Sequence, residues 1–341
     1  MSIDDELQAT ITRIVHAGRG ILAADESLPT IAKRFAAVGV ESTAENRRAY
    51  RSMLFTAPGT EAFISGVILF EETLAQRAAD GRPLPDVLQH AGIVPGIKVD
   101  QGKIPLPGAP GDEVTQGLDG LGARLRTYRG LGARFAKWRE VYTIGARNPT
   151  PLGITANAEV LARYAATCLA EGLVPIVEPE VLIDGDHSME RCEEVTLEVL
   201  HAVYDALHRH RVRLEHTLLK PSMVLPGKAH PSKAAPEAVA AATLRVLKRA
   251  VPAAVPGVNF LSGGQGPEEA TANLNALNVA WPHAPWALSF SYGRALQEPV
   301  LKAWAGKPEN VADAQRAFHR RARLNGLARQ GAYQARMERE P

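Results

Sequence analysis

Residues 217–223 read Thr217-Leu218-Leu219-Lys220-Pro221-Ser222-Met223, a short apolar run that carries one lysine at its end and stops at a proline. Proline cannot donate a ladder hydrogen bond, so it is typical of the boundary of a strand. An unpaired ammonium is costly to bury, and burial favours the neutral amine, which is a nucleophile. Taken alone, the stretch fits equally well a lysine that extends along apolar surface to reach water. The rest of the chain decides between the two interpretations.

The composition limits the class of protein. The chain has 341 residues, of which 45% are hydrophobic and 22% charged, and its formal net charge is +2. These values predict a folded core and favour neither a nucleic acid nor a membrane surface as partner. The two cysteines, Cys168 and Cys192, lie in helical patterns without a Cys-X-X-Cys pair, and the acidic start 1–6 does not resemble a signal peptide. We expect a cytoplasmic protein.

Eight apolar segments have the length and the boundaries of strands, and helical patterns lie between them. The expected strands are Arg19–Asp25, Phe63–Phe70, Gly92–Asp100, Phe135–Arg139, Val174–Glu180, Thr217–Lys220, Val258–Gly264 and Trp286–Tyr292. This alternation predicts a parallel α/β sheet, and eight units without a Gly-X-Gly-X-X-Gly motif favour a closed (β/α)8 TIM barrel over a doubly wound sheet. Extra helices are expected at both ends. We predict one domain over 1–331 and a short flexible tail over 332–341.

Three local features carry further expectations. Ser42-Thr43-Ala44-Glu45 has the spacing of a capping box that starts a helix. The segments 105–116 and 226–236 are rich in glycine and proline, which predicts surface loops and, for the second, a mobile flap. Asp184-Gly185-Asp186-His187 contains metal-ligand residue types, but its place between a strand and a helix favours a turn followed by an N-terminal cap.

Polar side chains lie at the ends of the expected strands, and the carboxyl ends of barrel strands converge on one mouth. These residues are Asp25, Lys98, Asp100, Lys137, Arg139, Glu178, Glu180, Lys220, Ser262 and Arg294. Buried charges must be paired or used, so this concentration favours a catalytic site, with a structural ion network as the alternative. We expect Lys137 to lie near Lys220, where a second cation favours the neutral amine that imine formation with a ketone requires.

Two glycine-containing turns indicate the kind of substrate. Ser262-Gly263-Gly264 follows the seventh expected strand, and Gly293-Arg294 follows the eighth. Barrels of this type commonly bind phosphate there through backbone amides. A Ser-Gly-Gly sequence alone is usually only a turn, but its neighbour on the adjacent strand strengthens the interpretation. Together with the lysines, the turns predict a phosphorylated carbonyl compound as substrate.

Seven motifs, in this order along the chain, resemble those of class I fructose-bisphosphate aldolase. They are Gly20–Ser27, Gly96–Asp100, Phe135–Arg139, Val177–Glu180, Leu219–Pro221, Leu261–Gln265 and Ser291–Arg294. The resemblance extends from about Ala17 to Gln330. It implies reversible cleavage of fructose 1,6-bisphosphate to dihydroxyacetone phosphate and glyceraldehyde 3-phosphate, with neither metal nor cofactor. It also implies a homo-oligomer, usually a homotetramer.

The resemblance implies a role for each matching residue. Lys220 would form the Schiff base, Glu178 would shuttle protons, and Asp25 would take the hydroxyl proton with Lys137 holding charge nearby. One phosphate would be held by Ser262, Gly263, Gly293 and Arg294. The other would be surrounded by Ser27, Thr30, Arg34 and Lys98, with Thr30 in place of the more usual serine. Arg139 and Glu180 would orient these groups.

Some alternatives stay open at this point. Many animal members of that family end in a tail whose terminal tyrosine assists proton exchange, whereas this sequence ends Arg339-Glu340-Pro341. We expect Glu178 to protonate the enamine instead, with Tyr333 folded over the mouth as the alternative. A lysine-imine enzyme of the transaldolase type, or a scaffold that keeps only the fold, are the competing functions.

Overall fold

The computed structural model describes residues 2–339, and its strands form two sheets. The strands are β1 (Gly20–Ala24), β2 (Ile64–Leu69), β3 (Val94–Lys98), β4 (Lys103–Pro105), β5 (Glu113–Thr115), β6 (Phe135–Tyr142), β7 (Val174–Val181), β8 (Leu218–Leu219), β9 (Gly257–Phe260) and β10 (Ala287–Tyr292). Eight of them close into a parallel barrel in the order β1-β10-β9-β8-β7-β6-β3-β2, while β4 and β5 pair antiparallel. The predicted TIM barrel is confirmed.

Helices surround the barrel. They are α1 (Ile3–Ile14), α2 (Leu28–Ala36), α3 (Ala44–Phe55), α4 (Glu71–Leu74), α5 (Leu84–His90), α6 (Leu121–Gly130), α7 (Pro151–Ala170), α8 (Met189–Arg209), α9 (Pro236–Ala250), α10 (Pro267–Ala280), α11 (Arg294–Trp304) and α12 (Val311–Ala328). The extra helices are α1 before the barrel and α12 after it. Among the helices of residues 2–339, none combines the length and apolar character needed to cross a membrane.

The barrel interior is filled by apolar side chains at its amino-terminal end. One buried cluster joins three residues of α1 to inward-facing residues of six strands: Leu7, Ile11, Ile14, Ile21, Ala23, Ile68, Val94, Phe135, Val174, Ile176 and Leu218. The spacing of the α1 residues is that of one helical face. That helix therefore closes the amino-terminal end of the barrel.

The same inward faces continue into charged residues at the opposite end. Successive side chains of a strand alternate between the two faces of the sheet. On β6 the apolar Phe135 is therefore followed on the inward face by Lys137 and then Arg139, and after β8 the residue that follows Leu218 on that face is Lys220. The alternation delivers ionisable groups to the carboxyl-terminal mouth of the barrel.

Gly96 on β3 makes room for this interior packing. A Cβ atom on Gly96 would lie 2.2 Å from the Phe135 ring of the neighbouring strand. Phe135 is fully buried. The glycine is therefore required by the aromatic ring that fills the barrel beneath Lys98 and Lys137.

Two sequence-based expectations about local structure are wrong. Thr43, not Ser42, is the N-cap of α3, and its side chain accepts a hydrogen bond from Asn46 N at 3.1 Å. The segment 105–116 is not a plain loop, because β4 and β5 pair there from Lys103–Thr115 to Pro105–Glu113. Short exposed strands bounded by glycine and proline lack the apolar alternation that identifies buried strands.

Other segments have contacts that the sequence did not indicate. Ser188 caps α8 directly after the 184–187 turn, and Gly227 N donates to His187 O at 2.8 Å, which ties the 226–236 segment to that turn. The carboxyl-terminal segment contacts α12, because Glu338 in that segment forms a salt bridge of 2.6 Å with Arg321 on the helix. The domain boundary at 331 and the mobility of both segments stay predictions.

Candidate active site

Lys137 is the centre of the charged cluster at the barrel mouth. Its Nζ lies 3.0 Å from Asp25 Oδ2 and 3.1 Å from Glu178 Oε2, and 3.6 Å from Asp100 Oδ2. The Lys137 side chain is only 4% exposed. One buried ammonium is thus shared by three carboxylates from three other strand ends.

Lys220 joins the same cluster through Glu178. The Lys220 Nζ lies 3.0 Å from Glu178 Oε1, and its side chain is 5% exposed. Glu178 therefore bridges two buried lysines, one on each carboxylate oxygen. The residue sits on β7, which pairs with β6 on one side and β8 on the other, so the barrel order brings these three side chains together.

The cluster sets the charge of two of its members. Burial works against the charged form of Lys137, but Asp25, Glu178 and Asp100 outweigh it and raise the pKa of Lys137 above its usual value. Burial likewise works against an ionised Asp25, but Lys137, Lys220 and Lys98 outweigh it and hold the pKa of Asp25 well below its usual range. The site therefore keeps a fixed cation beside a fixed anion.

The Ser262-Gly263-Gly264 turn follows β9 beside the end of β10. Gly263 and Gly264 adopt positive φ values of 49° and 91°, a conformation that side chains with a Cβ rarely adopt. Arg294 is exposed at the first position of α11. In the described part of the chain its guanidinium has no hydrogen-bond or salt-bridge partner.

Four residues were assigned from the sequence to the second phosphate. Ser27 Oγ and Thr30 Oγ1 lie 3.0 Å apart at the start of α2. Lys98 is held by Asp100, at 2.6 Å from its carboxylate and 2.9 Å from its carbonyl oxygen. Arg34 forms a salt bridge with Glu26, and its guanidinium lies beside Gly293, where an added Cβ would be 3.8 Å from it. Arg34 thus lies next to the Gly293–Arg294 turn as well.

Arg139 and Glu180 form a salt bridge at the barrel mouth. Burial opposes the charge of Arg139, but Glu180 outweighs it and raises the pKa of the guanidinium. An added Cβ on Gly263 would lie 4.0 Å from Glu180 Oε1, so this pair is next to the Ser-Gly-Gly turn. The charges of Glu178 and Asp100 also raise the pKa of Arg139, so the pair lies near the lysine cluster as well as near the turn that follows β9.

Two carboxylates contact the candidate site residues although the sequence analysis assigned them no role: Asp100 was only one of the charged residues expected at the mouth, and Glu26 was not singled out. Asp100 contacts both Lys98 and Lys137, and its signal was its position two residues after Lys98 at a strand end. Glu26 is buried, pairs with Arg34, and accepts a hydrogen bond from Gln297 Nε2 at 2.7 Å. Its partner on α11 is far along the chain, so no local pattern could have indicated the contact.

Tyr333 was the alternative proton donor suggested by the sequence. Its side chain is buried, its hydroxyl donates to Glu338 Oε1 at 3.0 Å, and its N–H donates to Asn275 Oδ1. Burial, the largest influence, and the charge of Glu338 raise the pKa of Tyr333. These contacts lie on α10 and the carboxyl-terminal segment, not in the lysine cluster.

Comparison with known proteins decides the family. The profile of the family "Fructose-bisphosphate aldolase class-I" matches residues 6–341. The chain is a class I fructose-bisphosphate aldolase family member. The members of this family are carbon–carbon lyases that act on a phosphorylated sugar. The resemblance that the seven sequence motifs indicated is confirmed.

Relatives of this aldolase family member match over most of their length. The chain is 57% identical over 329 residues to "Fructose-bisphosphate aldolase 5, cytosolic" of Arabidopsis thaliana, covering 96% of this chain and 92% of that protein. It is 56% identical over 330 residues to "Fructose-bisphosphate aldolase, cytoplasmic isozyme" of Spinacia oleracea, covering 97% and 92%. A structure of the Plasmodium falciparum aldolase with TRAP and a small-molecule inhibitor is 51% identical, with a TM-score of 0.96 over 98% of this chain and 96% of that chain.

Proposed function

We propose that this aldolase reversibly cleaves fructose 1,6-bisphosphate to dihydroxyacetone phosphate and glyceraldehyde 3-phosphate through a Schiff base on Lys220. The observation that carries the proposal is the bridging of Lys137 and Lys220 by the buried carboxylate of Glu178, at 3.1 and 3.0 Å. A nucleophilic amine and a proton-transferring carboxylate in contact are the two groups that imine formation needs.

In the first stage, Lys220 passes a proton to Glu178, which it contacts, and the resulting neutral amine attacks the ketone carbon of the open-chain substrate; an amine proton moves to the former ketone oxygen to give the carbinolamine. Glu178 delivers a proton to the carbinolamine hydroxyl, which leaves as water and produces the iminium. Glu178 suits this role because one of its oxygens already contacts Lys220. Its other oxygen contacts Lys137, whose fixed positive charge stabilises the carboxylate after it has lost the proton.

In the second stage, the bond between the third and fourth carbons breaks. Asp25, which stays ionised beside Lys137, takes the proton of the hydroxyl on the fourth carbon. That carbon becomes the aldehyde of glyceraldehyde 3-phosphate, and the bonding electron pair moves to the iminium to form an enamine. The ammonium of Lys137 stabilises the negative charge that develops on the hydroxyl oxygen. After glyceraldehyde 3-phosphate has left, water that enters the mouth takes the proton from Asp25 and returns one to Glu178. Glu178 then protonates the enamine carbon, and hydrolysis of the resulting iminium releases dihydroxyacetone phosphate and restores the free amine of Lys220.

The two phosphates are held by the groups around this cluster. We propose that Ser262, Gly263, Gly293 and Arg294 bind one through backbone N–H groups and the exposed guanidinium. For the other, the candidates are Ser27, Thr30, Lys98 and Arg34. We propose that Arg139 and Glu180 orient the substrate between the two phosphate sites, because Glu180 lies beside Gly263 and the charges of Glu178 and Asp100 act on Arg139.

We further propose that the protein is located in the cytoplasm and that it forms a homo-oligomer, specifically a homotetramer. The location is supported by the names of relatives described as cytosolic or cytoplasmic isozymes. The tetramer rests on the resemblance to the family alone. Sedimentation velocity at micromolar concentration would test it, since a species of one or two subunits contradicts the tetramer.

The activity is tested with a coupled assay for triose phosphates, using purified protein and fructose 1,6-bisphosphate with and without excess chelator. We expect cleavage at equal rates in both, because the proposed electron sink is the iminium on Lys220. Turnover only after addition of an aldose phosphate acceptor would favour a transaldolase. If chelator abolishes activity and zinc restores it, the Schiff-base route is contradicted. If there is no turnover of the bisphosphate, with or without the acceptor, a scaffold is favoured.

A further inference from the structure

Glu140 is a carboxylate next to the site that the proposed mechanism does not use. It follows Arg139 on β6, and its side chain is on the outer face of the barrel, where Trp138 Nε1 donates a hydrogen bond to Glu140 Oε1 at 2.8 Å. Trp138 in turn packs on Tyr164 of α7, with ring centroids 5.5 Å apart. Glu140 has no solvent exposure. Burying an ionisable group is costly unless it is paired or hydrogen-bonded, so the partners of Glu140 indicate what it does.

The surroundings of Glu140 supply two hydrogen-bond donors and no cation in direct contact. Besides Trp138, the backbone N–H of Thr115 on β5 donates to Glu140 Oε2 at 3.0 Å. Across residues 2–339, no salt bridge involves this carboxylate. Burial raises the pKa of Glu140 to about 7, against the lowering effect of the Trp138 and Thr115 hydrogen bonds.

The titratable and charged groups around Glu140 come from four elements. Asp100, after β3, raises the pKa of Glu140 further, and the Tyr142 phenol on the same strand has its own pKa raised by burial and by Glu140. The remaining groups are Tyr164 on α7, Glu113 on β5, which pairs with Lys103, and Arg139 on the inward face of β6, which pairs with Glu180.

A continuous set of hydrogen bonds connects Glu140 to the substrate side of the barrel. Thr115 Oγ1 donates to Arg139 O at 2.8 Å, which adds a second link between β5 and β6. The next residue, Gln116, donates from its N–H to Gly102 O and accepts from Gln101 N, at 2.8 and 2.9 Å. Asp100 directly precedes Gln101. Fixing β5 therefore also fixes the segment that begins at Asp100.

On the basis of the proposed function, we propose that Glu140 is a positioning residue whose ionised carboxylate anchors β5 to β6 and so holds Lys98 and Asp100 in place for a substrate phosphate. The choice of residue fits this role. A carboxylate accepts on both oxygens, as the Trp138 and Thr115 N–H groups require. An amide would offer one acceptor and turn an NH2 group toward the other donor, and a protonated carboxyl loses acceptor strength.

Steady-state kinetics of Glu140→Gln separate this role from a purely structural one. We expect the KM for fructose 1,6-bisphosphate to rise about fivefold at pH 8.5, while kcat changes less than twofold. The ratio of the two KM values should fall toward one at pH 5.5, where the wild-type carboxyl is also neutral. An unchanged KM at pH 8.5, or a ratio that is constant with pH, would overturn the proposal.

A double-mutant cycle tests whether Glu140 acts through Lys98. If it does, adding Glu140→Gln to a Lys98→Met background should raise KM less than twofold further, since coupled residues are not additive. A full fivefold further rise would overturn the connection. Glu113→Gln is the matched control on the same hairpin, because Glu113 pairs with the exposed Lys103 and should leave KM unchanged.

Hydrogen exchange tests the anchor without any assay of activity. At pH 8, the Thr115 amide should exchange at least tenfold faster in Glu140→Gln than in wild type, relative to the Val177 amide in the barrel as internal reference. Equal exchange at Thr115 would overturn the anchor. If the wild-type protein fails to cleave the bisphosphate, the proposed function fails, while the exchange result still decides whether Glu140 holds β5.

Discussion

Replacing Lys137 by methionine removes the one cation that three carboxylates share. Methionine keeps the length and the apolar stem of the side chain, so the change is chiefly one of charge. Asp25, Glu178 and Asp100 lose contacts of 3.0, 3.1 and 3.6 Å in a site from which water is largely excluded. The variant therefore retains three carboxylates with fewer cations to pair them.

The expected loss of stability follows from these distances. At an effective dielectric constant of about 20, two unit charges 3.0 Å apart attract by roughly 5 kcal/mol before desolvation is counted. The desolvation of the buried ammonium offsets much of the sum over three partners. Measured losses on breaking a buried pair are about 3–5 kcal/mol, and we expect the free energy of unfolding of Lys137→Met to fall by that amount at pH 7.5.

The loss should depend on pH in a defined direction. In the wild type the pKa of Asp25 is lowered, so its ionised form stabilises the fold above its ordinary pKa near 4, and this contribution disappears as pH falls below that value. In the variant, burial of Asp25 is opposed by fewer cations, and its pKa rises. The folded variant then takes up a proton between about pH 4 and its new pKa. This proton uptake stabilises the folded variant as pH falls. The difference in the free energy of unfolding between wild type and Lys137→Met should therefore shrink by at least about 1 kcal/mol between pH 7.5 and pH 5.

Urea unfolding at one fixed protein concentration measures the effect, since guanidinium would screen the charges. Lys98→Met is the control, because Lys98 is 17% exposed and, within residues 2–339, forms a salt bridge with Asp100 only, so we expect a loss of about 1 kcal/mol. A loss below 1 kcal/mol for Lys137→Met at pH 7.5, or one that is the same at pH 5, would refute the description of the cluster.

Three further changes test other parts of the account. Glu178→Gln should lower kcat about 10²–10⁴-fold with little change in the binding of the bisphosphate, as expected for the loss of a proton-transferring group, and a fall under tenfold in single-turnover rate would contradict the role. Arg294→Ala should weaken bisphosphate binding by about 1.5–3 kcal/mol in titration calorimetry, the scale of a charged hydrogen bond, and unchanged affinity would mean that the phosphate is held elsewhere. Gly96→Ala should cost about 1–3 kcal/mol of unfolding free energy, because the new methyl group meets Phe135 at 2.2 Å, and recovery of stability in Gly96→Ala with Phe135→Leu would identify that ring as the cause.

The barrel and its lysine cluster could be predicted from short-range patterns in the sequence. Alternation along a strand makes Phe135 and Lys137 share a face, and the parallel order brings the ends of β6, β7 and β8 side by side. Those two facts suffice to bring Lys137, Glu178 and Lys220 together. The resemblance added the chemistry to this arrangement.

Other features depend on contacts that no local pattern contains. Arg34 on α2 lies beside Gly293, which directly follows β10, and the carboxylate Glu26 accepts a hydrogen bond from Gln297 of α11. The cap of α3 is Thr43 although Ser42 is the intrinsically better N-cap residue, because two adjacent residues can both cap and the tertiary structure selects between them. Glu140 directly follows Lys137-Trp138-Arg139 in the sequence, but nothing local showed that it would be buried. Its burial depends on the hairpin of β4 and β5, which the sequence analysis did not predict.

The central claim is the covalent role of Lys220, and borohydride trapping tests it most directly. The protein is reduced with borohydride in the presence of dihydroxyacetone phosphate and then digested for peptide mapping by mass spectrometry. We expect one adduct, on Lys220, and its absence together with loss of turnover in Lys220→Ala. An adduct on Lys98 or Lys137, or an active enzyme that forms no adduct, would contradict the account.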